Sequence, residues 1–401
     1  MTIEQIRHQF PQLRRTVYGK PLVYLDNAAT SLRPQSVIDR WSEISANSTA
    51  NLHRAVHYIA TEATEAYEQA RKAVAEYINA TEAEEVIFTS GATHSLNLAA
   101  FAIGEAFIKD GDEIIVGEGE HHSDIVPWQM LCSRKGAVLK HLPVDDSGRL
   151  CIEELGRMIT PRTKLLCVAH VSNVLGLVNP VQELSGICRS SGVMLLVDGA
   201  QGIVHQKVDV QALDCDFYAF SGHKMYGAPG TGVLWGRRAL LDQMPPMFGG
   251  GEMIETVRWE ESTWAPLPRK FEAGTQDISS TPCFVQAIEM LQQMPQDEEV
   301  KDFVYKSLCA EPGIRLFGTT DDLALKVPVF SFAVEGAHHE DLALILDKMG
   351  IAVRSGQMCA EPLMDRFGVT GMLRASFAPY NTMQEADYFL SSLRKAIKML
   401  R

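Results

Sequence analysis

The chain has 401 residues, 46% of them hydrophobic and 22% charged, which is the balance of an ordinary soluble globular protein. A formal net charge of −13 argues against a nucleic-acid groove or an anionic membrane surface, since both need a basic footprint. The length exceeds one comfortable hydrophobic core and predicts a large domain with a smaller companion.

The opening segment, MTIEQIRHQFPQLRR, has no long apolar core and no small-residue cleavage site, so no secretory signal is expected. Later apolar runs reach only strand length, far below a membrane span. Between Ile59 and Ile78 the residues Tyr67, Ala70, Val74 and Ile78 recur at helical steps, with charges between them. The strand-like Glu85–Phe88 then leads into Ser90-Gly-Ala-Thr, a turn opening a helix. There Gly91 lets the backbone bend, and Ala92 and Thr93 would offer free N–H groups to an anion. Short apolar runs follow at Glu113–Gly117, Lys164–Ala169, Val193–Val197, Asp216–Phe220 and Gly232–Trp235. Runs apolar on both faces, spaced by helix-length segments, predict an α/β domain whose mostly parallel sheet is covered on both sides.

From Met244 to Gln276 the texture changes to Pro- and Gly-rich sequence, which predicts a long functional loop. Patterns resume on a smaller scale after residue 284. Thr382 and Glu385 form a capping-box pattern ahead of a helix with Ala386, Phe389, Leu390, Leu393, Ile397 and Leu400 on one face. The expected division is a large domain over 21–283 and a small α+β domain from 1–20 and 284–401.

All eight cysteines (Cys132, Cys151, Cys167, Cys188, Cys215, Cys283, Cys309 and Cys359) are isolated, so neither a disulfide framework nor a structural zinc site is expected. A reducing, cytoplasmic setting follows. Most of these thiols read as small core hydrophobes. Cys359 differs, because its polar, Gly-containing neighbours Arg354-Ser-Gly-Gln-Met place it in a loop.

Asp198 and Lys224 follow apolar runs, where ligands of open α/β sheets usually sit. Alone, Asp198 also reads as a turn aspartate or helix cap, and Lys224 as a surface-loop lysine. Together with the Gly91–Thr93 turn they supply the parts of electron-sink chemistry on an amino acid. Those parts are an amine for a Schiff base, a carboxylate for a pyridine nitrogen and a phosphate cradle. The nucleotide P-loop string and the dinucleotide glycine fingerprint are both missing. His121 and His122 are adjacent and make a poor chelate; His53 and His57 lack a completing carboxylate, so no metal is expected.

The strings LDNAATS, NLHRAVH, EHHSDIVPWQ, HVSNVLG, VDGAQ, FYAFSGHKMYGAPGTG, FEAGTQ and RSGQMCAEPLM occur in that order over nearly the whole chain. Together they resemble the fold-type I enzymes of the cysteine desulfurase family that use pyridoxal 5′-phosphate (PLP), in the SufS/CsdA-like branch. The resemblance implies that Lys224 holds PLP, Asp198 pairs with the ring nitrogen, His121 stacks on the ring and Gln201 meets the phenolic oxygen. Ala92, Thr93, Ser221 and His223 would hold the phosphate, joined by Thr275 from the second subunit of a homodimer. Arg374, in LRASFAPYN, would clamp the substrate carboxylate, with His53, Asn173 and Arg354 on the substrate side. Cys359 would take the sulfur of L-cysteine as a persulfide, leaving alanine. It would then pass that sulfur to an acceptor of the SufE or SufU type for iron–sulfur cluster assembly.

Three departures from the family pattern stand out: Gln357-Met358 where relatives often have two histidines, His94 where they often have an acid, and a shortened stretch over Gln292–Lys306. Competing readings are a selenocysteine lyase, whose selenium can leave without a protein thiol, an aminotransferase of the same fold, which has no need of Cys359, and a non-catalytic scaffold.

Overall fold

The computed structural model describes residues 1–295 and 298–401. Seven strands make the central sheet: β1 (Val86–Thr89), β2 (Glu113–Gly117), β3 (Val138–Leu142), β4 (Thr163–Ala169), β5 (Met194–Asp198), β6 (Phe217–Ser221) and β7 (Gly232–Gly236). Their spatial order is β1-β7-β6-β5-β4-β2-β3. β7 runs antiparallel to both neighbours and the remaining pairs are parallel.

Side-chain alternation splits the buried residues between two cores. Leu165, Leu196, Phe217 and Ala219 join the core on one face, while Leu166, Val197, Tyr218 and Phe220 join that on the other. Helices α1 (Tyr58–Tyr77), α2 (Ala92–Phe107), α3 (Val126–Lys135) and α4 (Val181–Ser191) supply the covering layers. α1 buries Ala63, Tyr67, Ala70 and Val74, the stripe legible as its helical step.

β3 has no counterpart among the apolar runs of the sequence. It is one of the sheet's two edge strands, and its Val138 and His141 are exposed, so no two-faced apolar run marks it. The Met244–Gln276 segment, expected as loop, contains a two-stranded hairpin pairing Ile254–Val257 with Ser262–Trp264. Both of its strands are largely exposed, so burial imposed no alternation on their sequence.

A second sheet of four antiparallel strands lies in the C-terminal part: β8 (Ile314–Phe317), β9 (Val329–Val334), β10 (Arg354–Gly356) and β11 (Met372–Ser376), in the order β8-β9-β11-β10. Helices α5 (Glu298–Ala310), α6 (His339–Lys348) and α8 (Met383–Leu400) pack against it, and the short α7 (Glu361–Phe367) precedes β11. The capping box at Thr382 and Glu385 is present, each side chain meeting the other's backbone N–H. Near the N-terminus, Val23–Tyr24 pairs in parallel with Ile351–Ala352, so the segment from residue 25 onward is delivered between the two sheets. The shortened stretch Gln292–Lys306 includes Gln296 and Asp297, which lie outside the described residues. Among the described residues no helix is long and apolar enough to cross a membrane.

Candidate active site

Parallel strands deliver their carboxyl ends to one edge of the large sheet, and there a cavity of ≈ 280 Å³ opens. Asp198 is the last residue of β5; it is buried and accepts the Ala200 N–H at 2.8 Å. Lys224 closes a single turn, Gly222–Lys224, that follows β6. Burial pushes the Asp198 carboxyl up, with Lys224 and the Ala200 N–H opposing. Burial likewise pulls the Lys224 ammonium down, and Asp198 opposes that. Each group thus offsets part of the cost that burial imposes on the other's charge.

The N-terminus of α2 faces the same cavity. Gly91 precedes it at φ +147°, a conformation that L side chains rarely adopt. A Cβ on Gly232 of the neighbouring strand would lie 2.4 Å from the Gly91 Cα, so the turn and β7 need glycine on both sides. The Ala92 N–H donates to Ser221 Oγ at 2.7 Å, Thr93 Oγ1 meets Ser123 Oγ at 2.8 Å, and His223 Nδ1 meets Thr30 Oγ1 at 3.1 Å. His121 Nδ1 accepts the Ser123 N–H at 3.0 Å, leaving Nε2 to carry the ring proton. Burial, aided by the Lys224 charge, lowers both His121 and His223 to about 4. Gln201 is buried and donates to the Ala28 carbonyl at 2.7 Å.

The second sheet closes the cavity. Arg374 on β11 is buried; its Nη1 donates to the Asn173 carbonyl at 2.8 Å and its Nη2 lies 3.5 Å from Asp26 Oδ1. Its Nε is buried with no partner among the described residues, and burial lowers the group to about 10. The guanidinium therefore stays charged at neutral pH and keeps an unused donor. Asn173 Nδ2 donates to the Met358 carbonyl at 2.9 Å. Cys359 follows, exposed, and both Met358 and Cys359 stand at φ +55°. Arg354 lines the cavity mouth, but its fork is engaged by Asp26, with Nε–Oδ1 at 3.0 Å and Nη2–Oδ2 at 2.8 Å.

The cavity wall thus gathers Ala92, Thr93, His121, Asn173, Asp198, Gln201, Ser221, His223, Lys224, Arg354, Cys359 and Arg374 from segments spread over 283 positions of sequence. Two expected residues stay off that wall within the single chain. His53 packs edge-on against Tyr67 with its Nε2 3.6 Å from Glu68 Oε1, and Thr275 is exposed on the loop beyond the buried Glu272. Asp26 and Ser123 were not among the expected residues. Both sit in strings that carry the resemblance, LDNAATS and EHHSDIVPWQ, and that position was their one available signal. Near Asp198 lie two further buried carboxyls, Glu120 and Asp124; burial pushes both well up, with Asp124 and Asp198 adding to it for Glu120 and Asp198 for Asp124.

A pyridine ring bearing a phosphate fits this arrangement. A carboxylate is present for the ring nitrogen and an amine for a carbonyl carbon. An anion would meet a helix N-terminus flanked by hydroxyls and a histidine. The unpartnered Arg374 Nε leaves a donor for a substrate carboxylate beside it.

Comparison with known proteins agrees with this geometry. Residues 23–389 match the family described as aminotransferase class-V. A probable cysteine desulfurase of Vibrio cholerae serotype O1 is 41% identical over 406 residues, spanning 100% of both chains. Among solved structures, the cysteine desulfurase CsdA of Escherichia coli superposes with a TM-score of 0.91 at 37% identity, covering 100% of each chain. The cysteine desulfurase of Thermococcus onnurineus NA1 does so with a TM-score of 0.93 at 37% identity, covering 99% of each. The chain therefore belongs to the aminotransferase class-V family, among its cysteine desulfurases.

Proposed function

We propose that the chain converts L-cysteine and the Cys359 thiol into L-alanine and a Cys359 persulfide. The substrate Cβ–S bond breaks, an S–S bond to Cys359 forms and Cβ takes up a proton, so no outside oxidant or reductant is needed. PLP, when bound, supplies an electron sink conjugated to the substrate Cα.

Lys224 holds the cofactor and moves a proton at the substrate Cα. Asp198 would pair with the ring nitrogen, His121 would stack on the ring and Gln201 would meet its phenolic oxygen. Ala92, whose N–H donates to Ser221 Oγ in the single chain, would hold the phosphate with Thr93, Ser221 and His223, joined by Thr275 from a second copy in a homodimer. Arg374 holds the substrate carboxylate beside Asn173. Arg354 stands at the mouth, and His53, which faces Glu68 in the single chain, is assigned to the substrate side. The Cys359 thiolate is the nucleophile, because only a thiolate attacks sulfur readily at neutral pH. We place the sulfur next on an acceptor of the SufE or SufU type, in the cytoplasm, for iron–sulfur cluster assembly. The division into 21–283 and 1–20 with 284–401 is part of this reading. It is supported by the separate apolar core under the four-stranded sheet, although Val23 and Leu25 contribute to that core.

The observation that carries the proposal is the convergence of Lys224, Asp198, Arg374 and an exposed Cys359 on one cavity. An aminotransferase would use the first three and have no task for the fourth. Purified protein with L-cysteine and a reductant should release alanine and sulfide in equal amounts, and Lys224→Ala and Cys359→Ala should each abolish this. A yellow, cofactor-loaded protein that never yields alanine would overturn the substrate assignment.

A further inference from the structure

The turn that carries Cys359 is held in a conformation it would not keep unaided. Met358 and Cys359 are consecutive non-glycine residues in the left-handed region, each at φ +55°. Such residues persist there only where their surroundings over-determine them. Within the turn itself, the Ala360 N–H reaches the Gln357 carbonyl at 3.0 Å and Gln357 Nε2 reaches Glu361 Oε1 at 3.0 Å. The restraint from outside comes from two residues of the large domain. Asn173 donates to the Met358 carbonyl at 2.9 Å. The other is His122, which makes two contacts. Its backbone N–H donates to the Cys359 carbonyl at 2.7 Å, and its ring Nε2 accepts the Glu361 N–H at 3.0 Å.

Those two contacts bracket the thiol. Glu361 is the first residue of α7, whose preceding Ala360 has no side chain able to accept a hydrogen bond, so His122 supplies the acceptor from a distance. The neighbouring His121 faces the cavity instead, because the two lie on either side of the bend that begins the His122–Asp124 turn. One histidine thus serves the cofactor pocket and the next serves the thiol loop.

We infer that His122 is a positioning residue for the sulfur-accepting thiol, gripping the turn on both sides of Cys359 with its backbone N–H and its imidazole Nε2. The inference rests on the desulfurase reading for its catalytic consequence, while the grip itself is independent of it. An ångström of displacement between nucleophile and target can cost roughly a hundredfold in rate. Releasing the turn should therefore slow sulfur transfer without weakening the capture of L-cysteine.

The test compares holoenzyme forms of wild type, His122→Ala and His122→Gln. Glutamine places a carbonyl acceptor near where Nε2 stands. The first readout is hydrogen–deuterium exchange of the peptide spanning residues 354–367, which needs no turnover. Exchange should quicken at least tenfold in His122→Ala and return toward wild type in His122→Gln. The second is a kinetic split: alanine formation should fall about tenfold to a hundredfold in the alanine variant, with L-cysteine affinity, read from cofactor absorbance, unchanged. Unchanged exchange in His122→Ala, a matching loss of L-cysteine affinity, or no recovery with glutamine would overturn the inference. Wild type that exchanges as expected but forms no alanine would instead sink the desulfurase reading and leave the grip standing.

Discussion

Arg71 and Glu272 meet as a two-point ion pair in the protein interior, Nη1–Oε1 at 2.7 Å and Nη2–Oε2 at 2.9 Å, with side chains 1% and 2% exposed. Each partner also holds an edge strand of the sheet: Arg71 donates to the Val86 carbonyl at 2.7 Å, and Glu272 accepts the Phe88 N–H at 2.8 Å. The pair therefore ties α1 and β1 to the loop that leads to Thr275. Glu272→Ala should lower unfolding free energy by roughly 3 kcal/mol, the low end for a broken buried pair, because Glu68 Oε2 still holds Arg71 Nε at 2.9 Å. Chemical denaturation checks this. The double variant Arg71→Met with Glu272→Ala should recover most of the loss.

Arg374 offers two of its nitrogens to fixed partners and keeps a third unpaired among the described residues. A lysine cannot reproduce that fork. Arg374→Lys should retain cofactor but lose about tenfold to a hundredfold in kcat/KM for L-cysteine, the worth of one charged hydrogen bond. Steady-state kinetics on the loaded variant reads the effect, which should fall on KM first.

Asp124 is buried beside other carboxyls, and the Trp128 Nε1 donates to its Oδ1 at 2.9 Å. Its folded-state pKa is pushed well above the ordinary value of 3.8, first by burial and then by Asp198. The unfolded chain ionises there first, so this group costs stability as pH rises above 3.8. Asp124→Asn keeps the acceptor for Trp128 and removes that cost. The variant should melt higher than wild type at pH 7, and the gap should shrink as pH falls toward 3.8.

His170 behaves in the opposite sense. It is buried, its Nδ1 lies 2.9 Å from the Tyr218 hydroxyl, and burial lowers it to about 4. Between its ordinary value of 6.5 and about 4 the unfolded chain binds the extra proton, so the stability it contributes is full above 6.5 and drains as pH falls. Melting curves across that window should be less steep in pH for His170→Asn than for wild type.

Sequence pattern was most informative where burial on both faces left no choice of residue. β4, β5 and β6 read as apolar runs, and the two residues that follow or end such runs, Asp198 and Lys224, stood out for that reason. β3 escaped because an edge strand need bury only part of itself. Asp26 escaped for a different cause: its engagement of Arg354 and Arg374 depends on Val23–Tyr24 pairing with Ile351–Ala352, a contact between segments far apart in the chain. That His121 and His122 would diverge follows from adjacency alone. Which of them turns toward the cavity is decided by the bend after Glu120, and no local pattern encodes that.

A thiol on a turn held by hydrogen bonds on both sides would have little travel of its own. Export of anything attached to Cys359 then becomes a matter of access. On the desulfurase reading, a recipient would have to bring its own reactive group to Cys359, which is exposed beside Arg354 at the cavity mouth. Selectivity among recipients would then be set by the contour of that mouth.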